Sequence, residues 1–572
     1  MVLPHLLEGE TVEDVQRTTL SVDALGRFVC STWQEATGHG GPPFSTVIVG
    51  AGMYGAYLAA KLFRQDAAAR ILVLEAGPFL VSEHVQNIGP IGLGVPAAVA
   101  PGSDPGVARE VVWGLPWRGN VEFPGLAYCV GGKSLYWGGW CPRLTPADLS
   151  HWPAAVASDV DDAYLRVESE TGVVPGTDFI SGPLYDNLRN RLVAAAGSTP
   201  NIETSIGDTG VQSPPLAVQG DSPDSGLFSF DKYSSVPLLV HAVREDVAAS
   251  DGNDANRRLF VVPLAHVVKL HTSGDRVDTL EVDVSGQRRW LPVTPGGAIV
   301  LAASAVESTR LALHSFPTPL MGRNLMAHVR SDFTVRIRTS ALAVSAAPVR
   351  TAAHLVRGVA PTGRFHLQIT ASTSRGGSDE LLYRMVPDLD LLERHLANDD
   401  PEWVTITLRG VGEMHGDRTS AVPASPGSWI DLSPFEQDEY GVPRAFVRLV
   451  LGAQDRETWR VMDETAVSIA QTVAGAATDI EYLYDGAWRS APFPTGRAFP
   501  EWHRGLGSTY HESGTLWMGD DAGTSVTDTT GRFHHLSNAY ACDQSLFPTV
   551  GSVNPVLTGL VLSRRLADHL AT

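Results

Sequence analysis

Two hydrophobic rhythms divide this chain. Apolar runs, rich in β-branched residues, stand at Thr46–Val49 and Ile71–Leu74, and alternating or apolar runs stand around Leu259–Val262, Val267–Leu270 and Ala298–Ala302. Runs of that length and composition predict buried strands. Elsewhere polar and apolar residues alternate with period two, at Asp332–Ile337, Arg364–Thr370, Trp403–Leu408 and Arg444–Val450. That pattern predicts an antiparallel sheet with one face in the core and the other in solvent. A helical spacing of Ala56, Leu58, Ala59, Ala60 and Leu62 follows the first apolar run. Further helices are expected at Ala305–His314, after a strand, and at Leu557–Leu570. Residues 1–43 read as a short helical lead-in that ends in the breaker cluster Gly38-His39-Gly40-Gly41-Pro42-Pro43. From Ile88 to Val107 the chain is rich in Gly, Pro and Ala and reads as a long loop.

The junction of the first apolar run with the first helix carries Gly50-x-Gly52-x-x-Gly55. Each glycine has a separate physical task. Gly50 permits the tight turn, Gly52 lets the backbone approach a pyrophosphate, and Gly55 lets helix and sheet pack closely. The helix start offers free N–H groups and a positive dipole end to phosphates. The second run ends at Glu75, 75 − 55 = 20 positions after the last glycine. A carboxylate there can accept hydrogen bonds from the hydroxyls of an adenosine ribose. Strand, glycines, helix, strand and acid in register predict a dinucleotide site. No second glycine fingerprint is present, so a single dinucleotide serves the chemistry, which favours a flavin.

Composition narrows the partners. The chain has 572 residues, 43% of them hydrophobic, enough for two or three domains. Its formal net charge of −20 argues against nucleic acid or an anionic membrane as partner. No apolar run is long enough to span a bilayer. The first ten residues lack a basic stretch followed by an apolar one, so a cytoplasmic location is expected. Cys30, Cys129, Cys141 and Cys542 are scattered without metal-ligand spacing and read as small buried hydrophobes.

Near the C-terminus three motifs follow one another: His511-x-x-Gly514-Thr515-x-x-Met518-Gly519, then Asp543-x-Ser545-x-x-Pro548, then Asn554-Pro555-x-x-Thr558. Here the chain resembles the glucose–methanol–choline (GMC) flavoprotein oxidoreductases. The resemblance extends to Gly50–Gly55 with Glu75, to Gly131-Gly132-Lys133-Ser134, to Leu301–Arg310 and, loosely, to Gly322-Arg323-Asn324-Leu325 with His328. It implies FAD as cofactor, lined by Gly50, Gly52, Met53, Tyr54, Gly55, Glu75, Ala76, Gly132, Ser134, Trp137, Gly138, Val267, Ala303, Asp543, Asn554, Pro555 and Thr558. It places His511 beside the flavin, as the base or as the orienter of a substrate hydroxyl, and Asn554 at the family's partner position. Oxidising an alcohol removes a hydroxyl proton and a carbinol hydride. The hydride goes to flavin N5, and a neutral imidazole is suited to take the proton. An Asn only donates and accepts hydrogen bonds, so His511 would be the sole base and Asn554 would position the oxygen.

Within the family, Ser134-Leu135-Tyr136-Trp137 most resembles the Ser-x-His-Trp segment of pyranose oxidases, whose His is joined to the flavin. Tyr136 stands at that position, so a dissociable FAD is expected. His366 and Gln368 lie two apart on a polar strand and are candidates to meet substrate. The expected fold is α/β, with a discontinuous Rossmann-like FAD-binding domain (44–150, 225–328 and 501–572) and an α+β substrate-binding domain on an antiparallel sheet (151–224 and 329–500). The expected reaction is oxidation of a secondary hydroxyl of a pyranose sugar or glycoside, with electrons passed to oxygen or a quinone. The alternatives are an oxidase or dehydrogenase acting on a sterol or another apolar alcohol, and a flavin-binding module without turnover.

Overall fold

The computed structural model describes residues 29–38, 41–84, 113–114, 117–121, 126–175, 180–205, 209–218, 232–345, 350–373, 398, 400–422, 427–494, 497 and 500–572. Most of the expected lead-in and the whole of the expected loop at 88–107 lie outside these residues. Four of the apolar runs form one sheet with Ala539–Ala541. The five-stranded sheet is parallel, in the order Ala539–Ala541, Ala298–Leu301, Thr46–Val49, Ile71–Leu74, Leu259–Val262. The fifth run extends to Ala265–Ser273 and pairs in an antiparallel meander with Arg276–Val284 and Gln287–Pro292. Between the first two strands runs the helix Met53–Gln65, buried from Met53 to Phe63. It is apolar on nearly every side because it is covered on one flank by the sheet and on the other by the final helix, Val556–Leu570.

The alternating segments build a seven-stranded antiparallel sheet around His328–Arg338, Trp403–Glu413, Gly363–Ser372 and Thr351–Ala360. One face carries Phe333, Val335, Ile337, Leu367, Ile369, Ile406 and Leu408, packed against the helices Pro183–Ser198 and Ala453–Ala474 in a second hydrophobic core. The opposite face was expected to be wet, and it is not. His328, Arg330, Asp332, Thr334, His366, Gln368, Thr370, Thr407 and Arg409 are all buried. Alternation records which side chains need hydrogen bonds, not whether they lie at the surface. The segment Arg444–Val450 also departs from expectation. It contributes the strand Pro443–Arg448 to a separate three-stranded sheet with Trp429–Gln437 and Trp117–Gly119.

The stretch 151–224 divides between the two cores. Helix Ala154–Thr171 inserts Val156, Val160, Tyr164 and Val167 into the core that holds the glycine fingerprint, whereas Pro183–Ser198 belongs to the second core. All four cysteines are buried, and none is in a disulfide. Among the described residues no helix is long and apolar enough to cross a membrane, and no His/Cys/Asp/Glu cluster could hold a metal ion.

Candidate active site

The glycine turn has the geometry its sequence predicts. Gly50 has φ +102°, and a Cβ there would lie 2.6 Å from the carbonyl oxygen of Ala302. A Cβ on Gly55 would lie 2.0 Å from the Gly50 oxygen, so both positions exclude side chains for reasons of packing. Gly52 differs. It caps the helix without a side-chain hydrogen bond, and a Cβ added to it would meet no atom of the described residues within 4 Å. Open space over the free N–H groups of a helix start suits a pyrophosphate. Glu75 closes the turn: its carboxylate accepts from the amides of Ala51 and Gly77, each at 2.9 Å. Burial pushes its pKa up to about 7, against those two hydrogen bonds, which favour the charged form.

Most of the other residues expected along the cofactor gather around this turn. Met53 accepts from Ser235 Oγ at 2.6 Å, and Tyr54 donates to Gln544 Oε1 at 3.0 Å. Gly132 and Ser134 lie on the short helix Gly132–Leu135, where a Cβ on Gly132 would approach Gly52 Cα at 3.1 Å. Trp137, next to Gly138, donates to the Tyr233 carbonyl at 2.6 Å. Ala303 lies against Gly50, and Asp543 is buried, accepting from Ser308 Oγ at 2.6 Å and the Ser545 amide at 2.9 Å. The amide of Ala265 donates to the Glu75 carbonyl at 2.8 Å, which brings Val267 to the side of the sheet that follows Ala76. The Thr558 hydroxyl is taken by Tyr164 at 2.7 Å, which leaves its backbone, with Pro555, at the start of the final helix. The residues present therefore fit an FAD.

The second half of the site lies where the buried polar face of the large sheet meets the turn before the final helix. Seven groups form a continuous chain of six contacts there. His328 Nε2 lies 3.0 Å from the Gly551 carbonyl oxygen, and its Nδ1 lies 2.9 Å from Nδ1 of His511. His511 Nε2 lies 3.3 Å from Asn554 Nδ2. Gln368 Nε2 donates to Asn554 Oδ1 at 2.9 Å and lies 3.1 Å from His366 Nε2. His366 Nδ1 lies 2.6 Å from the Ser552 carbonyl oxygen. The structure thus brings His511, Asn554, His366 and Gln368 into one cluster. It adds His328, noticed in the sequence only as the end of a loose motif. The Gln368 Oε1 atom is buried and has no hydrogen-bond partner among the described residues.

The turn that supplies both carbonyls is held by Asp148. The carboxylate of Asp148 accepts from the Ser552 amide at 3.1 Å, from the Ser552 hydroxyl at 3.2 Å and from the Thr145 amide at 2.7 Å. Burial holds all three imidazoles in the neutral form. It lowers His328 to about 4 and His366 to about 3, and it takes His511 well below the ordinary histidine range, with His328 and Arg409 adding to the effect. A buried neutral imidazole beside a hydrogen-bonding amide is equipped to accept a proton from a hydroxyl.

Residues 423–563 match the C-terminal domain model of the GMC oxidoreductases. The chain is 24% identical over 556 residues to a C-glycoside 3-oxidase of Microbacterium trichothecenolyticum, covering 92% of this chain and 96% of that protein. It is 25% identical over 564 residues to a paromamine 6'-oxidase of Streptomyces fradiae, covering 92% of this chain and 91% of that one. Among solved structures, the formate oxidase of Aspergillus oryzae RIB40 superposes with a TM-score of 0.60 at 15% identity, over 93% of this chain and 98% of its own. A pyridoxine 4-oxidase from Mesorbium loti does so with a TM-score of 0.57 at 18% identity, over 92% and 99%. The two structures share the fold.

Proposed function

Because this chain carries a GMC oxidoreductase C-terminal domain, in a family of FAD-binding flavoproteins, we propose that it oxidises a secondary hydroxyl of a pyranose or glycoside to a keto sugar. The observation that carries this reading is the buried polar wall beside His511. Gln368, Thr370, Thr407 and Arg409 stand on one face of the large sheet, with Gln368 opposite Arg409 in register. An apolar alcohol such as a sterol needs an apolar lining, whereas a sugar needs several placed donors and acceptors. The unpartnered Gln368 Oε1 is an acceptor suited to a sugar hydroxyl. Both curated relatives are glycoside oxidases, which supports the same substrate class.

His511 takes the hydroxyl proton through Nε2, the nitrogen on the side of Asn554. The Asn554 amide donates to the hydroxyl oxygen and steadies negative charge as it develops there. Gln368 holds that amide in place and His366 holds Gln368. The glycine turn, Glu75 and the start of the final helix would hold an FAD, which would supply a two-electron acceptor for the carbinol hydride, with oxygen or a quinone as the final acceptor. An intact cluster of this kind speaks against a flavin-binding module without turnover.

The test is an anaerobic flavin-bleaching screen over pyranoses, glycosides and sterols. A pyranose or glycoside is expected to bleach the flavin. Bleaching by sterols with none by any sugar rejects the proposal and leaves an oxidoreductase of another alcohol. The FAD is expected to be dissociable, because a tyrosine stands at position 136. Acid precipitation should release the yellow colour to the supernatant, and colour kept in the pellet would contradict this. The pH dependence has a definite sign. His511 must be neutral to act, and burial lowers its pKa below the ordinary value near 6.5. The rate of flavin reduction should therefore stay level down to about pH 6.5 and fall only below it. An acid limb at or above that value would show a different base.

A further inference from the structure

The proton positions along the chain of contacts follow from its two ends, since a carbonyl oxygen only accepts. At one end the Gly551 carbonyl faces His328 Nε2 at 3.0 Å, so that nitrogen carries the proton. Neutral His328 then presents a bare Nδ1. His511 Nδ1 lies 2.9 Å from it and must be the donor. A neutral His511 with its proton on Nδ1 keeps its lone pair on Nε2. From the other end, the Ser552 carbonyl fixes the proton of His366 on Nδ1, and His366 Nε2 accepts from the Gln368 amide. The second hydrogen of that amide goes to Asn554 Oδ1, which turns the Asn554 NH2 group toward His511. Read from either end, the assignment meets at the same place: a bare nitrogen on His511 facing a donor on Asn554.

We infer that His328 is a positioning residue that holds His511 in the Nδ1–H tautomer and thereby selects Nε2 as the proton-accepting atom. The inference rests on the reading of His511 as base. The partner of one imidazole nitrogen decides where the other carries its proton, and His328 is that partner. Its own tautomer is set by the Gly551 carbonyl on a turn that Asp148 pins. Burial keeps His328 neutral, so its Nδ1 stays available as an acceptor across the working pH range.

Two substitutions separate this role from simple packing. In His328→Gln the side-chain amide can donate to Gly551 and its oxygen can accept from His511. In His328→Leu neither contact remains. Ring-15N-histidine spectra of the FAD-loaded protein, with the His511 signals assigned by their loss in His511→Ala, should show the proton on Nδ1 in the parent and in His328→Gln. In His328→Leu that preference should be lost. Anaerobic flavin reduction should slow by about 10- to 100-fold in His328→Leu, the usual cost of removing the group that orients a functional imidazole, and should recover most of its rate in His328→Gln. A parent His511 protonated on Nε2 overturns the inference. So does a His328→Leu protein that keeps both tautomer and rate, or a flavin-loaded His328→Gln protein as slow as His328→Leu. Should neither variant retain FAD, the parent spectrum alone decides. An Nδ1 proton together with unslowed reduction in His511→Ala would leave the tautomer assignment standing and remove only the role of His511 as base.

Discussion

Replacing His511 with alanine is expected to slow anaerobic flavin reduction by about 10²- to 10⁴-fold, the range typical of losing a positioned general base, and to leave the protein yellow. Three observations combine in that expectation. The imidazole is buried and neutral. It is held from one side by His328 and from the other by Asn554. Its contacts are to other side chains of the cluster rather than to the glycine turn, so FAD should stay bound in its absence. Asn554→Ala should also slow reduction, because it removes the donor aimed at the substrate oxygen and leaves the hydroxyl free to turn out of a reactive geometry. Stopped-flow reduction by the best sugar of the screen measures both. Unchanged rates in both variants would place the active site elsewhere.

The second large effect is expected at Gly52. The three fingerprint glycines look equivalent in the sequence and are not equivalent in the structure. At Gly55 a single methyl would strike the Gly50 carbonyl at 2.0 Å, so a substitution there attacks the fold itself. At Gly52 a methyl would meet no atom of the described residues within 4 Å, over a helix start that suits a phosphate. Gly52→Val should therefore fold with a melting transition close to that of the parent apoprotein, yet purify colourless, its isopropyl group standing where the pyrophosphate belongs. Absorbance in the flavin region, compared with circular dichroism of the same sample, is the measurement. A full flavin spectrum in Gly52→Val would rule out this cradle as the cofactor site.

The contrast between the two halves of the molecule shows what the sequence made legible. The parallel sheet could be read because Thr46–Val49, Ile71–Leu74, Leu259–Val262 and Ala298–Leu301 are apolar throughout, and because the glycine turn is a local signal confined to a few residues. The strands at Gly363–Ser372 and Trp403–Glu413 were legible by period, yet their polar face was misread as wet. His366, Gln368, Thr370 and Arg409 announce a need for hydrogen bonds without saying who supplies them. The helix Ala453–Ala474 went unread although Trp459, Met462, Ala466, Ile469 and Val473 recur at helical spacing. Its buried stripe also contains Thr458, Thr465 and Ala470, so the contrast between its two faces is weak. His511 and Asn554 were found through motifs. The part played by His328 could not be, since it depends on a partner 183 positions away in the chain and on a carbonyl oxygen that no residue letter encodes.

The turn before the final helix gives this cluster a mechanical property. The Gly551 and Ser552 carbonyls belong to consecutive residues, and one carboxylate, Asp148, secures the turn. The two histidines they anchor stand on different strands of the large sheet and approach the reacting centre from opposite ends of the chain of contacts. Asn554 follows on the same turn, so a displacement of the turn would shift both carbonyls and the amide together against the sheet that carries His328 and His366. Substitutions at Thr370 or Thr407 that shift the sheet against the turn should therefore disturb this chain of hydrogen bonds as well as the polar wall.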